Sequence, residues 1–422
     1  HPTTTLARKN PHMRQTSMPS TFLWGAATAG HQVDGGDVDS DTTFLENVTP
    51  TVFVAPAGVA CGAWERWETD LDLAAAMGLN AFRFSLEWSR IEPRQGVINA
   101  AAMAHYSAML DGCLARGLAP LVTLSHFTLP HWFAARGGWF AGDSAELFAG
   151  YCRLVTERLG DRFALVVTLN EPNLQHVLAD MLPPAVWELS AAALDAASAA
   201  AGVARYRSGN VAKLDEIAGL EDGFAAAHIA ARAAVKAVRP ELPVGLSIAV
   251  ADDVALPGGD AHRDRVRAAC YGRWLELAKD DDFVGVQNYE QALYDASGRV
   301  AHGPEVELNG MGSPISPGSL EGAVRYVAAA TGVPVLVTEH GLSTEDDAQR
   351  CAFIPQALAG LDRAIADGVP VLGYCHWTFL DNFEWVSAYG PKFGLHSVDR
   401  DTLERTPKES SRVYAAECGC DC

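Results

Sequence analysis

Eight short strand-like runs recur along the chain, at 22–28, 81–88, 120–126, 163–170, 244–250, 283–289, 334–339 and 371–378, and they restrict the fold more than any other feature. Those at 163–169 and 333–338 are too uniformly apolar for the alternation of a half-exposed strand and too short for a buried helix, so they are expected to be strands covered on both faces. Helical patterns fill the gaps, among them 67–77, closed by Gly78, and 223–238, closed ahead of Pro240. Strand and helix alternate throughout, and eight βα units closing on themselves predict a single-domain (β/α)8 TIM barrel. No Pro/Ser-rich linker or charge block divides the 422 residues, and with 49% of them hydrophobic a sizeable core can form. The expected organisation is a flexible segment 1–20, a barrel domain 21–416 and a flexible tail 417–422. An Ala/Ser-rich stretch at 189–203 reads as a helical insert after the fourth strand. It falls on the rim, where strand-to-helix loops build the mouth of a barrel site.

Two of the runs end in a glutamate, in Thr168-Leu169-Asn170-Glu171-Pro172 and Val337-Thr338-Glu339-His340-Gly341. The carboxyl end of a buried barrel strand is where barrel enzymes place catalytic groups. A glutamate there is more than a salt-bridged surface residue. Two carboxyls at close range cannot both ionise easily, so one is pushed towards the protonated state of an acid catalyst while the other remains available to attack. Glycoside cleavage with retention uses such a pair, roughly 5 Å apart.

Further motifs follow in order: Phe22-Leu23-Trp24-Gly25-Ala26-Ala27-Thr28-Ala29-Gly30-His31-Gln32, then Asn170-Glu171-Pro172, Thr338-Glu339 and Asp381-Asn382-Phe383-Glu384-Trp385. Together, each at a strand end, they resemble glycoside hydrolase family 1, the retaining β-glucosidase and β-galactosidase family, over about residues 22–414. The resemblance implies a general acid/base at Glu171, a nucleophile at Glu339, and neither cofactor nor metal. It also implies that Gln32, His126 and Asn170 bind hydroxyls of the non-reducing sugar, and that Glu384 takes two of them. Trp377 and Trp385 would offer flat faces to the sugar's C–H surface, Arg83 would support the carboxylates, and Tyr289 would touch the nucleophile. Side chains rich in donors and acceptors suit a polyol, and an Arg or Tyr beside a glutamate favours its ionised form. A satisfied core histidine and plain barrel packing are the bland readings of His126 and Trp377, against which their strand-end positions weigh. Trp24, Phe82, Phe84 and Trp88 read as core.

Four positions depart from the family pattern. His340 stands where Asn is usual after the nucleophile, Asp34 where Glu is usual, Gln287 replaces an Asn, and Lys392 replaces an Arg. An imidazole beside Glu339 is expected to carry charge and shift the optimum pH. The insert and the unusual stretch 37–62 bear on the leaving-group side of the mouth. Glu384 would repel a sugar phosphate, which favours unphosphorylated sugars, and Glu171 is not the Gln of the family's thioglucosidases, so ordinary O-glycosides are expected. A transglycosylase would carry the same residues. A sugar-binding relative without catalysis would typically lack one of the two glutamates, and a metal-dependent barrel hydrolase would need a His-x-His after the first strand, which is missing here.

The formal charge, 32 basic against 52 acidic residues or −20 in all, disfavours nucleic acid and anionic membranes. A small neutral or cationic ligand is favoured, and an oligomer is compatible with the sequence. The polar first twenty residues and the lack of a long apolar run predict a cytoplasmic protein, with His1-Pro2 read as the remnant of a trimmed tag or leader. Cys61, Cys113, Cys152, Cys270, Cys351 and Cys375 are far apart and expected as structural thiols. Cys418-Gly419-Cys420-Asp421-Cys422 reads as a frayed end before it reads as a soft-metal site.

Overall fold

The computed structural model describes residues 22–419. All eight expected strands form: β1 (Leu23–Ala27), β2 (Ala81–Ser85), β3 (Ala119–Ser125), β4 (Leu165–Asn170), β5 (Val244–Ala249), β6 (Val284–Asn288), β7 (Val335–His340) and β8 (Val371–Trp377). Each pairs in parallel with its sequence neighbours, and β8 closes on β1 through Leu23 opposite Gly373 to Ala27 opposite Trp377. The fold is a single-domain (β/α)8 barrel. The second run leaves the sheet earlier than its composition suggests. The Glu87 amide donates to the Tyr106 hydroxyl at 3.0 Å, the ladder ends, and Trp88 opens a short helix, Trp88–Ile91.

Helices cover the barrel where the patterns place them. Ala63–Ala76 is followed by Gly78 at φ 75°, a left-handed turn that glycine takes without strain. Ile217–Val238 begins six residues before the expected helix and ends where expected. The insert is an 18-residue helix, Pro184–Ala201, with proline in its first turn and Gly202 at φ 67° as its stop. Its buried residues Trp187, Ser190, Ala193, Leu194 and Ala197 recur at helical spacing on one face.

Three apolar clusters hold these layers together. The largest lies between strands and helices and includes Phe84, Trp88, Val166, Val286 and Val337. A second fills the barrel lumen with Ala27, Ala81, Leu121, Val167, Leu336 and Cys375, and Trp377 belongs to it. The third is built by loops at the carboxyl ends of the strands, from Leu45, Val48 and Phe53 after β1, Leu194 and Ala197 of the insert, Tyr206, and Phe383 after β8.

Register slips occur between Val167 and Asn170 on β4 and between Val337 and Glu339 on β7, each just before a candidate residue. Such irregularities re-aim side chains beside active sites. The thiols of Cys61, Cys113, Cys152, Cys270 and Cys375 are buried and free, and those of Cys351 and Cys418 are partly exposed and free. Cys420, Cys422 and the segment 1–20 lie outside the described residues. Among the described residues no helix is long and apolar enough to cross a membrane.

Candidate active site

Arg83, wholly buried on β2, organises the floor of the mouth. Its Nε donates to the Thr123 hydroxyl at 3.1 Å, its Nη1 to Glu339 Oε1 at 2.7 Å and to the Thr338 carbonyl at 3.2 Å, and its Nη2 to Asn170 Oδ1 at 2.6 Å. One planar, always-charged fork thus ties β2 to β3, β4 and β7. The Tyr289 hydroxyl donates to the other Glu339 oxygen, Oε2, at 2.7 Å. Burial and the neighbouring Glu339 push the Tyr289 hydroxyl well above its ordinary pKa, so it stays a donor. His126 Nε2 lies 3.8 Å from Glu339 Oε1, and burial together with Arg83 holds the imidazole well below its usual pKa, hence neutral.

Glu171 sits at the end of β4 in a different environment. Burial raises its pKa well above the ordinary carboxyl value, Glu339 raises it further, and Arg83 opposes. The acid form is therefore favoured more strongly than in an ordinary carboxyl. Its backbone has φ 44°, a left-handed conformation that costs a non-glycine residue on the order of 1–3 kcal/mol and clusters at functional sites. Gln287 Nε2 donates to Glu171 Oε1 at 3.1 Å.

Around this pair, several buried polar atoms have no partner within the protein: Gln32 Oε1, His126 Nδ1, Asn170 Nδ2 and Glu384 Oε1. Buried polar groups are nearly always hydrogen-bonded, so four such atoms on four candidate hydroxyl-binding residues mark a place where a polar ligand would complete them. Gln32 itself is fixed by an Nε2 bond to the Phe383 carbonyl at 2.7 Å. Burial and Glu339 raise the Glu384 pKa well above normal, opposed by the side chains of Trp377 and Gln32. His126 stacks on both tryptophans, with centroids 5.8 Å from Trp377 and 6.2 Å from Trp385. Trp385 also stacks on His31, at 5.6 Å and 10°, whose Nε2 meets Glu46 Oε1 at 2.8 Å. Trp385 also has positive φ, 48°.

Ten of the expected residues, Arg83, Gln32, His126, Asn170, Glu171, Tyr289, Glu339, Trp377, Glu384 and Trp385, thus meet at one end of the barrel. His340 does not join them, and its expected charge is corrected. Consecutive strand residues point to opposite faces, and His340 lies in the wall. Its Nδ1 shares a hydrogen bond with the Tyr374 hydroxyl at 2.9 Å, and its ring stacks on Phe353 of the helix Asp347–Ala366 at 4.9 Å. Burial alone drives its pKa down to about 3, so the ring is neutral and is no basis for a shifted optimum pH. Lys392, another departure, donates to the Tyr389 carbonyl at 2.8 Å. Asp34 is buried behind the mouth, and desolvation raises its pKa to about 7 against the pull of Arg90. Contacts outside the expected set come from Gln287, Thr123 and the His31–Glu46 pair; the sequence marks Gln287 only as a departure from the family pattern two residues before Tyr289 and assigns it no contact.

A closed parallel barrel with an asymmetric carboxyl pair at the ends of β4 and β7, inside a polar cup walled by tryptophan, defines a barrel glycosidase. The chain belongs to glycosyl hydrolase family 1, whose model it matches over residues 14–280 and 275–419. It is 30% identical to the β-glucosidase of an Agrobacterium species over 96% of each chain. Among solved structures it is similar to β-glycosidase BGL167, with 42% identity, a TM-score of 0.89 and 95% of this chain and 97% of that one covered. The apo structure of a β-glucosidase 1317 is 40% identical with a TM-score of 0.90, over 94% of this chain and 98% of that one.

Proposed function

We propose that the protein is a β-glucosidase that hydrolyses unphosphorylated β-O-glycosides with retention, through two glutamates acting in a double displacement. In the first step an oxygen of Glu339 bonds to the anomeric carbon as the bond to the aglycone oxygen breaks. That oxygen keeps the bonding electrons and takes the proton of Glu171. In the second step a water oxygen bonds to the anomeric carbon and gives a proton to the Glu171 carboxylate, while the ester to Glu339 breaks, and both groups are restored. Arg83 and Tyr289 hold Glu339 in place. Gln32, His126, Asn170 and Glu384 bind the sugar hydroxyls, and Trp377 and Trp385 its C–H faces.

The observation that carries this reading is the asymmetry of the two carboxyls. Glu339 has a guanidinium on one oxygen and a phenol on the other, donors suited to a carboxylate. Glu171 has burial and a second carboxyl raising its pKa, as an acid catalyst requires. The Agrobacterium relative, named a β-glucosidase, supports the choice of sugar.

Glu171→Ala tests the division of labour. Only a poor leaving group needs the proton, so the variant is expected to cleave dinitrophenyl glycosides in the first step almost as the parent does. Alkyl glycosides should lose about 10²–10⁴-fold, the range for general acid catalysis. Equal losses on both would remove Glu171 from the acid role.

A further inference from the structure

Gln287 sits at the end of β6, buried, opposite Ala249 of β5 and Glu339 of β7 in the ladder. Among the described residues its amide is the one side chain hydrogen-bonded to the Glu171 carboxyl, Nε2 to Oε1 at 3.1 Å. The amide oxygen faces the Thr338 hydroxyl at 3.4 Å, which turns the N–H side towards Glu171. Thr338 immediately precedes Glu339, so a single amide touches the strand of one glutamate and the side chain of the other.

We propose that Gln287 is a positioning residue that decides which oxygen of Glu171 carries the proton and how readily that proton leaves. This rests on the acid/base reading of Glu171. An oxygen that accepts an N–H bond cannot also carry a hydroxyl hydrogen aimed at that donor without placing two hydrogens against each other. Because the carbonyl-type oxygen of a neutral acid is the better acceptor, the N–H bond to Oε1 favours the proton of neutral Glu171 on Oε2, the oxygen with no hydrogen bond among the described residues. Once the proton has moved to the aglycone oxygen, the same N–H bond strengthens, because a hydrogen bond to a carboxylate exceeds one to a neutral acid. Gln287 thus favours both the correct proton position before transfer and the anion after it, and opposes the upward push of burial on Glu171. The charged and titratable groups facing Glu171 are Glu339 on β7, Arg83 on β2, Glu384 after β8 and Tyr289 after β6, with neutral His126 at the end of β3 beside Glu339. None of these donates to Oε1: Arg83 and Tyr289 are committed to other partners, Glu339 and Glu384 are themselves carboxyls, and His126 lies beside Glu339.

The sign of the effect follows. The first step needs Glu171 protonated, so the alkaline limb of the kcat/KM profile reports its ionisation and the acid limb that of its partner. Gln287→Met keeps the volume and removes the donor. The alkaline limb should move up by about one pH unit, the size of a lost hydrogen bond to a charged group, while the acid limb stays put. With the proton no longer favoured on Oε2, kcat/KM should fall about tenfold for alkyl glycosides and hardly at all for dinitrophenyl ones. Thr338→Val, which frees the amide to turn over, should move the limb in the same direction by less, and it keeps the inference testable if the methionine variant does not fold. Glu171→Gln serves as control, with all four profiles measured on a p-nitrophenyl glycoside, whose leaving group still draws on the acid yet is cleaved measurably without it. If its alkaline limb persists unchanged, Glu171 is not the group titrating and the acid/base reading itself fails. If that limb vanishes in Glu171→Gln but remains within about 0.2 units of the parent's in both other variants, Gln287 plays no part in placing the proton and the inference is overturned.

Discussion

The floor and the rim of the mouth are built in different ways. The floor is a set of strand ends: Arg83 from β2, Asn170 and Glu171 from β4, Gln287 from β6 and Glu339 from β7, joined by charged and polar hydrogen bonds of 2.6–3.1 Å. The rim is a set of long loops and one inserted helix, held by the apolar cluster of Leu45, Phe53, Leu194, Tyr206 and Phe383. Strand register and directional hydrogen bonds fix the floor, and a buried ion pair is favourable only in good geometry. Apolar packing fixes the rim less specifically, since many side chains of similar volume fill such a cluster. On the reading proposed above, the barrel carries the bond-breaking geometry and the loops above it shape the mouth.

If this division holds, damage to the floor and damage to the rim should differ in kind. The largest effect is expected from Glu339→Gly, which should lower kcat by at least about 10⁴-fold, the scale for removing a covalent nucleophile. Azide or formate should restore turnover by filling the cavity below the anomeric carbon, and the glycosyl azide should have inverted configuration. Unimpaired turnover in this variant would break the comparison at its base. A smaller loss is expected from Glu384→Ala, between floor and rim. It should cost roughly 2–4 kcal/mol in transition-state binding on a β-glucoside, and less on the 6-deoxy β-fucoside, which offers one hydroxyl fewer. Equal losses on the two sugars would take Glu384 away from the C6 hydroxyl. The smallest catalytic effect is expected from Leu194→Ala in the rim. Truncating a fully buried leucine costs about 2–5 kcal/mol of stability, so thermal or denaturant unfolding should come earlier, yet kcat for an aryl glucoside should stay within a few-fold. A collapse of kcat in folded Leu194→Ala protein would show that the rim, too, sets the reaction geometry.

The same contrast governs what could be read from the sequence. Strands such as β4 and β7 were legible because a strand buried on both faces leaves an uninterrupted apolar run, and Glu171 and Glu339 because each closes such a run, whereas β2, which carries Arg83 and Ser85, was legible from its place in the alternation of strand and helix. The exit of β2 was not, since Glu87 leaves the ladder for a hydroxyl that arrives from Tyr106, a residue on another helix. The placement of His340 needed partners from two further elements, Tyr374 and Phe353, which adjacency to Glu339 does not announce. Gln287 reads from the sequence as a lone replacement. Its reach to Glu171 depends on the register of β6 against β5 and β7, and no local pattern encodes that. The left-handed backbone at Glu171 and Trp385 is likewise imposed by the assembled barrel, because neither side chain favours it.

The central claim, that Glu339 is the nucleophile of a covalent double displacement, is tested most directly by trapping the intermediate. A 2-deoxy-2-fluoro-β-glucoside with a dinitrophenolate leaving group slows both steps by destabilising positive charge at the anomeric carbon, and the good leaving group restores the first alone. Incubation should add one fluoroglucosyl unit to the protein mass, and peptide mapping should place it on Glu339, with activity returning as the ester turns over. A label on any other residue, or complete turnover with no covalent adduct, would contradict the account.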